Sequence, residues 1–427
     1  MRQSVVKFPE RAKRFAALLG TAFVVVAWMA VTAQGITQAA EIQKRSGLRW
    51  EYLSSNHGEI AIPGDSDQQT GVVVADFDGD GVNDFIISCR IAAPALICYR
   101  RTADGWDRIV IDPELLQIEA GGAVYDIDGD GDPDVVFGGD WQSDEVWWWE
   151  NPSPDFDPNR PWTRHRIKTG GATQHHDQVF ADLLGTGRAQ LFFWNQSAKT
   201  IFMAEIPDNP RAADGWPLMP VYSGDGGEAA KSFGYAEGMS ACDIDGDGVP
   251  ELLAGNTWFK HTGNRRFTPV RIAEIGGLIF AARFRPGKYP QIVISPGDAD
   301  GPLCIYTCTD DEDPMNQANW KRTILIEKVI HGHSLQIADF DGDGNADIFC
   351  AEMAKWGDES RDDARAWILF GDGTGRFRTT RFAEGIGFHE ARAADLDGDG
   401  RIDILSKPYN WRTPRLDIWL QRRTEGE

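Results

Sequence analysis

Aspartates recur along this sequence at a spacing suited to a hard cation. DFDGDGVND at 76–84 returns as DIDGDGDPD at 126–134, DIDGDGVPE at 243–251, DFDGDGNAD at 339–347 and DLDGDGRID at 395–403. Carboxylates at positions 1, 3, 5 and 9 of such a nonapeptide can surround Ca2+, while its glycines permit the tight turn that brings backbone oxygen to the ion. The expected ligands are Asp76, Asp78, Asp80 and Asp84; Asp126, Asp128, Asp130 and Asp134; Asp243, Asp245, Asp247 and Glu251; Asp339, Asp341, Asp343 and Asp347; and Asp395, Asp397, Asp399 and Asp403. About five structural Ca2+ ions follow from five intact copies. Helix-flanked calcium loops use similar spacing, but here an apolar, β-branched run follows each copy, so the ion is expected to staple a hairpin rather than to catalyse.

A second pattern is tied to the first by register. Two worn copies, ADLLGTGRAQL around Asp182 and ARFRPGKYPQIVI around Arg283, bring the repeat to seven units. Six residues before the first loop position stand Thr70, Ala120, His176, Glu237, Gly277, His333 and His389. With 8 histidines in 427 residues, chance would place about 0.13 histidine in seven positions. Side chains at one offset on radially arranged strands face a common axis, so His176, Glu237, His333 and His389 can converge. Three imidazoles and a carboxylate suit a divalent transition metal such as Zn2+ or Mn2+. The alternative is a set of polar side chains lining a wet channel. His175 in QHHDQ, His331 in HGHS and Tyr235, two residues before Glu237, are the candidate general bases.

These residues need elements to hold them. Each loop is followed by a short apolar run (FIIS, VVFGG, LFFW, LLAG, IVIS, IFCA, ILS), then by a further strand such as EVWWWE or TIFMAE, and then by a Trp-led one at 106–111, 162–167 or 320–325. With the strand before the loop, four strands per unit make one blade, and seven units predict an all-β, seven-bladed β-propeller. The seventh unit ends at LDIWLQ without a fourth strand, whereas LRWEYLS at 48–54 reads as one. Pairing of that N-terminal strand with the last blade is therefore expected to close the ring and hide two sheet edges. Turns between second and third strands should emerge beside the histidines, carrying Arg90, Trp141, Asn195, Asn256, Trp258, Trp356, Lys407, Tyr409 and Trp411. Aromatic planes among amides and charges suit sugar rings, although many of the 16 tryptophans belong to strands that pack blade on blade.

Bulk properties narrow the class. The net charge of −22 argues against nucleic acid as a partner. Basic residues Arg2 to Arg14 precede an apolar run at 15–33 and small residues at 37–40, the form of a secretory signal over 1–40 followed by a propeller over 48–424; an uncleaved anchor in the membrane is the alternative. The expected setting is exported: periplasmic, cell-surface or extracellular. Cys89 with Cys98, or Cys304 with Cys308, could pair, and free buried thiols are equally open.

The DxDGDGxxD copies resemble those of the FG-GAP and VCBS repeat proteins, the integrin-like propellers, over nearly all of residues 48–424. The resemblance implies that the strand before each loop is innermost and that the loops share one face. QHHDQVFADLLGTG also resembles the propeller domain of the aldos-2-ulose dehydratases, which carry cupin domains besides. In arrangement, the histidines are similar to those of polysaccharide lyases that bind a metal in a propeller channel. Together these imply a secreted carbohydrate-active enzyme performing metal-assisted β-elimination, as a lyase or dehydratase, on a keto or acidic sugar held by Arg90 and Lys407. The rival expectation is a non-catalytic, calcium-stabilised propeller that binds glycan or protein at the cell surface.

Overall fold

The run after each loop is a strand because its side chains are β-branched or aromatic and are buried on both faces, as in Asp84–Cys89, Asp134–Gly138 and Asp347–Ala351. In the computed structural model, which describes residues 48–223, 237–354 and 363–422, such strands belong to seven four-stranded sheets. The first blade runs outward in chain order through Gln69–Ala75, Asp84–Cys89, Leu96–Thr102 and Gly105–Asp112, every neighbour antiparallel. The innermost strands of the other blades are Ala123–Tyr125, Gln178–Ala181, Met239–Cys242, Ile279–Ala282, Ser334–Ala338 and Arg392–Ala394. Each meets the innermost strand of the next blade, and the seventh meets the first, so they ring a central axis. Among the described residues, helix is limited to short 3-10 turns, and no helix is long and apolar enough to cross a membrane. The secretory signal expected over 1–40 lies outside the described residues.

The core is divided into seven clusters, one at each blade-to-blade interface. Alternation along a strand feeds two of them at once: Val135 and Phe137 face the first blade, while Val136 between them faces the third. Tryptophans heading the outer strands fill these interfaces, as Trp162 does edge-on to Phe77 at 5.8 Å. The same alternation decides the cysteines. Cys89 and Cys98 lie on adjacent strands but in different interfaces, and all six cysteines are free thiols.

Ring closure follows the expectation from LRWEYLS. Arg49–Ser54 pairs antiparallel with Asp417–Arg422, in register from Arg49 with Arg422 to Ser54 with Asp417. Asp417 fastens the join. Its Oδ1 accepts from Tyr52 Oη at 2.9 Å and Ser54 Oγ at 2.8 Å, and its Oδ2 pairs with Arg415 Nε at 2.7 Å.

Candidate functional site

The aspartate loops and the histidines occupy opposite ends of the innermost strands. At the loop end, the first aspartate gathers backbone amides: Asp76 accepts from Gly79 and Gly81, each at 2.8 Å. The ninth carboxylate is buried and accepts on both oxygens, Asp84 from Phe77 N at 3.1 Å and Arg101 N at 2.6 Å. Positions 1, 3 and 9 offer ligand oxygens within 4.8 Å of one another in Asp76, Asp78 and Asp84, in Asp126, Asp128 and Asp134, in Asp243, Asp245 and Glu251, and in Asp339, Asp341 and Asp347. In the seventh blade Asp395 gathers the same amides, and Asp397 Oδ1 is buried without a hydrogen-bond partner. Such all-oxygen cradles fit a hard cation. The fifth-position carboxylates are turned to other work, Asp80, Asp247, Asp343 and Asp399 each accepting from the amide two residues on.

One loop differs in its electrostatics. In the fourth blade Lys260 Nζ reaches Asp245 at 2.8 Å, Asp247 at 2.5 Å and Glu251 at 2.9 Å, a built-in cation facing three carboxylates of the cradle. In the worn copies glutamine replaces the ninth acid, and Gln291 Oε1 accepts from Phe284 N at 2.9 Å as the carboxylates do. The hairpin contact thus survives in the fifth blade where the charge is gone, whereas Gln190 Oε1 in the third is buried without a hydrogen-bond partner.

At the other end, His176, Glu237 and His333, from three different blades, bring ligand atoms within 4.8 Å of one another, all three side chains buried. His333 Nε2 lies 3.2 Å from Glu237 Oε2 and His176 Nδ1 lies 2.6 Å from Asp177 Oδ2. Gly297 makes room for Glu237, since a Cβ there would collide with its Oε1. Burial opposes charge on His176, but the Asp177 carboxylate beside it prevails and raises it to about 9; Glu237 raises His333 in the same way. The sequence places these residues at the start of the inner strands. They stand just before them instead: positive φ at Asp177 and Gly238 delays the strand after His176 and Glu237, and His333 directly precedes Ser334–Ala338.

The fourth expected ligand, His389, is set apart from this trio. It stacks on His333 at 4.5 Å between centroids, and Lys407 Nζ sits 3.2 Å from its Nδ1. Burial, with Lys407 next, holds it well below the usual imidazole range. Lys407 also donates to the carbonyls of Thr70 at 2.8 Å and His389 at 2.9 Å, and burial lowers it to about 7. Arg90 is paired with Glu119, lies 3.6 Å from Asp140, and donates to Tyr409 Oη at 2.6 Å. Both cations expected to hold an acidic sugar are therefore committed to internal partners. Tyr409 in turn rests on the His389 ring at 4.8 Å, so one polar chain runs from Asp140 to His176.

The remaining candidates divide. His175 packs edge-on to Phe193 and meets Asn195 Nδ2 through Nε2, and burial lowers it to about 3; it faces a blade interface rather than the trio. His331 is half-buried with Nδ1 held by the Asp298 carbonyl at 2.6 Å. Asn195 and Asn256 are buried turn residues, Asn195 Oδ1 accepting from Ala198 N and Asn256 Oδ1 from Thr257 Oγ1. Trp258 belongs to the core between the fourth and fifth blades. Trp141 is 59% exposed and Trp411 half-buried. Tyr235 and Trp356 lie outside the described residues. Sequence reasoning passed over Glu119, whose signal was a lone acid inside the apolar stretch LLQIEAGG.

Seven four-stranded blades, with aspartate loops at one end of the inner hairpins and a histidine–carboxylate cluster at the other, define an aspartate-loop β-propeller. The FG-GAP-like repeat model matches residues 339–406, across the sixth and seventh blades. No curated protein matches the sequence. Among solved structures, BBS1N in its complex with ARL6DN aligns at 13% identity and a TM-score of 0.51, over 88% of this chain and 97% of that one. The V. cholerae biofilm matrix protein Bap1 aligns at 12% and 0.48, over 86% and 90%. The Bacillus licheniformis rhamnogalacturonan lyase PL11 aligns at 13% and 0.44, over 86% and 72%. At these identities the likeness concerns the fold alone.

Proposed function

We propose that the histidine end of the channel is a divalent transition-metal centre serving carbohydrate β-elimination, and that calcium in the aspartate loops staples the blades. The observation that carries the reading is the meeting of His176, Glu237 and His333 from three blades within 4.8 Å, buried where packing alone would favour apolar groups. Bound there, Zn2+ or Mn2+ would act as a Lewis acid on a carbonyl or carboxylate next to the C–H bond being broken. His331 is the base this geometry favours. Its Nδ1 must carry a proton to donate to the Asp298 carbonyl, so Nε2 is the basic nitrogen, on a residue solvent reaches. Trp141 supplies a platform for a sugar face. The proposal carries an exported setting and a carbohydrate partner with it.

The test is metal analysis followed by turnover. Calcium-loaded protein should retain one transition ion, lost in His333→Ala with calcium-dependent melting unchanged, and wild type should produce unsaturated sugar seen by ultraviolet absorbance. A calcium-loaded chain that takes up no transition ion sinks the proposal. One observation favours the binding-only reading: Arg90 and Lys407 are spent on internal contacts. That reading predicts saturable glycan binding without product.

A further inference from the structure

Two acids stand where the fold uses glycine. The residue after each of the seven register positions is Gly71, Gly121, Asp177, Gly238, Leu278, Ser334 or Glu390. At Gly121 and Gly238 the backbone takes φ of +107° and +80°. Asp177 and Glu390 adopt the same left-handed region at +45° and +52°, which a residue with a Cβ disfavours. The turn itself has a structural use, since the amides of Asp177 and Glu390 bond the carbonyls of Ala120 and His333 in the preceding blade at 3.1 Å. Glycine would serve that use without strain. The side-chain termini reach histidine: Asp177 Oδ2, which also accepts from Gly238 N at 2.7 Å, lies 2.6 Å from His176 Nδ1, and Glu390, whose Oε2 pairs with Arg392 at 2.9 Å, has Oε1 3.5 Å from His333 Nδ1. Both carboxyls are buried, and neither Glu390 Oε1 nor His333 Nδ1 has a hydrogen-bond partner, an unsettled pair in a site otherwise well bonded.

We infer that Asp177 and Glu390 are positioning residues that turn His176 and His333 toward a shared ion. Each carboxylate faces Nδ1, which leaves Nε2 of each imidazole as the nitrogen for an ion, and His333 Nε2 already lies 3.2 Å from Glu237 Oε2. The two acids occupy equivalent places in the third and seventh blades yet serve histidines reached differently: Asp177 orients its own neighbour, whereas Glu390 crosses to the sixth blade. The inference rests on the metal reading proposed above.

Calorimetric titration with Zn2+ alone, on calcium-saturated chain, tests it with His333→Ala as the blank. Glu390→Gln and Asp177→Asn should each weaken Zn2+ at least 10-fold, the usual effect of removing such a partner. Glu390→Gly should do the same while its ion-free melting temperature stays near that of wild type, because relief of backbone strain offsets the lost pair with Arg392. A residue with only a structural role would lower that melting temperature. Wild type and all three variants binding Zn2+ equally would overturn the inference and leave the metal reading standing. No Zn2+ uptake by wild type above the blank would overturn both.

Discussion

With its loops free of cation, this chain should lose stability as pH rises, the reverse of ordinary acid denaturation. Burial, ahead of the neighbouring loop acids, raises Asp84 to about 7, Asp134 to about 8, Asp347 to about 6 and Asp403 to about 7. Unfolded, each carboxyl returns to its ordinary value of 3.8. Between about pH 4 and 8 the ion-free fold therefore holds protons that the unfolded chain has released, and its stability falls as pH rises. A carboxyl with a raised folded value contributes fully below its unfolded value, and that contribution is gone above its folded one. Each such group removes about 1.4 kcal/mol per pH unit within its window. For a chain this long, about 1 kcal/mol moves the midpoint by ~1 °C. Halved for residual solvent contact, the four together lower the melting temperature by roughly 5 °C between about pH 5 and pH 8. Scanning calorimetry after EDTA treatment measures this directly, and millimolar calcium should abolish the slope by holding the carboxylates ionised. An ion-free melting temperature that is level or climbs over that range refutes the reasoning.

Three further outcomes are expected. Lys260→Met should tighten calcium at the fourth blade's loop by about 10-fold, since an ammonium no longer competes for three of its carboxylates; unchanged calorimetric isotherms would show that Lys260 yields freely to the ion. Asp417→Ala should cost about 3–5 kcal/mol in urea unfolding, because it strands buried Arg415 and releases Tyr52 and Ser54 at the closure; a loss below about 1 kcal/mol would make the pair dispensable. Phe193→Ala, at the wholly buried interface of the second and third blades, should cost about 3–5 kcal/mol with denaturant slope unchanged.

The fold was legible because its signature is local and repeated. A nonapeptide with fixed glycines marks five of the inner hairpins and worn copies of it the other two, and the missing fourth strand of the seventh unit announces its own completion by residues near 50. The trio was legible for the same reason: a ring symmetry turns a sequence offset into a direction in space, so His176, Glu237 and His333 could be picked out together. What the offset could not convey is how neighbouring blades fill the space between them. His389 shares the register but lies flat on His333. His175 differs from His176 by one residue yet packs edge-on to Phe193 in a blade interface, because the chain there is irregular, with positive φ at Gln174 and Asp177. Arg90 looked like an open cation because its partner, Glu119, is supplied by the next blade. Contacts across a seam depend on side-chain length and packing, which no repeat encodes.

The join between Arg49–Ser54 and Asp417–Arg422 also has a meaning in time. During synthesis the strand that completes the seventh blade is made early and its partner last, so closure waits on a loop spanning nearly the whole propeller. Blades can form locally meanwhile, but the two edges that will meet stay unpaired. Closing so long a loop is entropically demanding only in a logarithmic way, yet it sets a deadline: until then, a second unfinished chain presents the same two edges. Concentration therefore selects between a closed ring and copies that have exchanged their first strand.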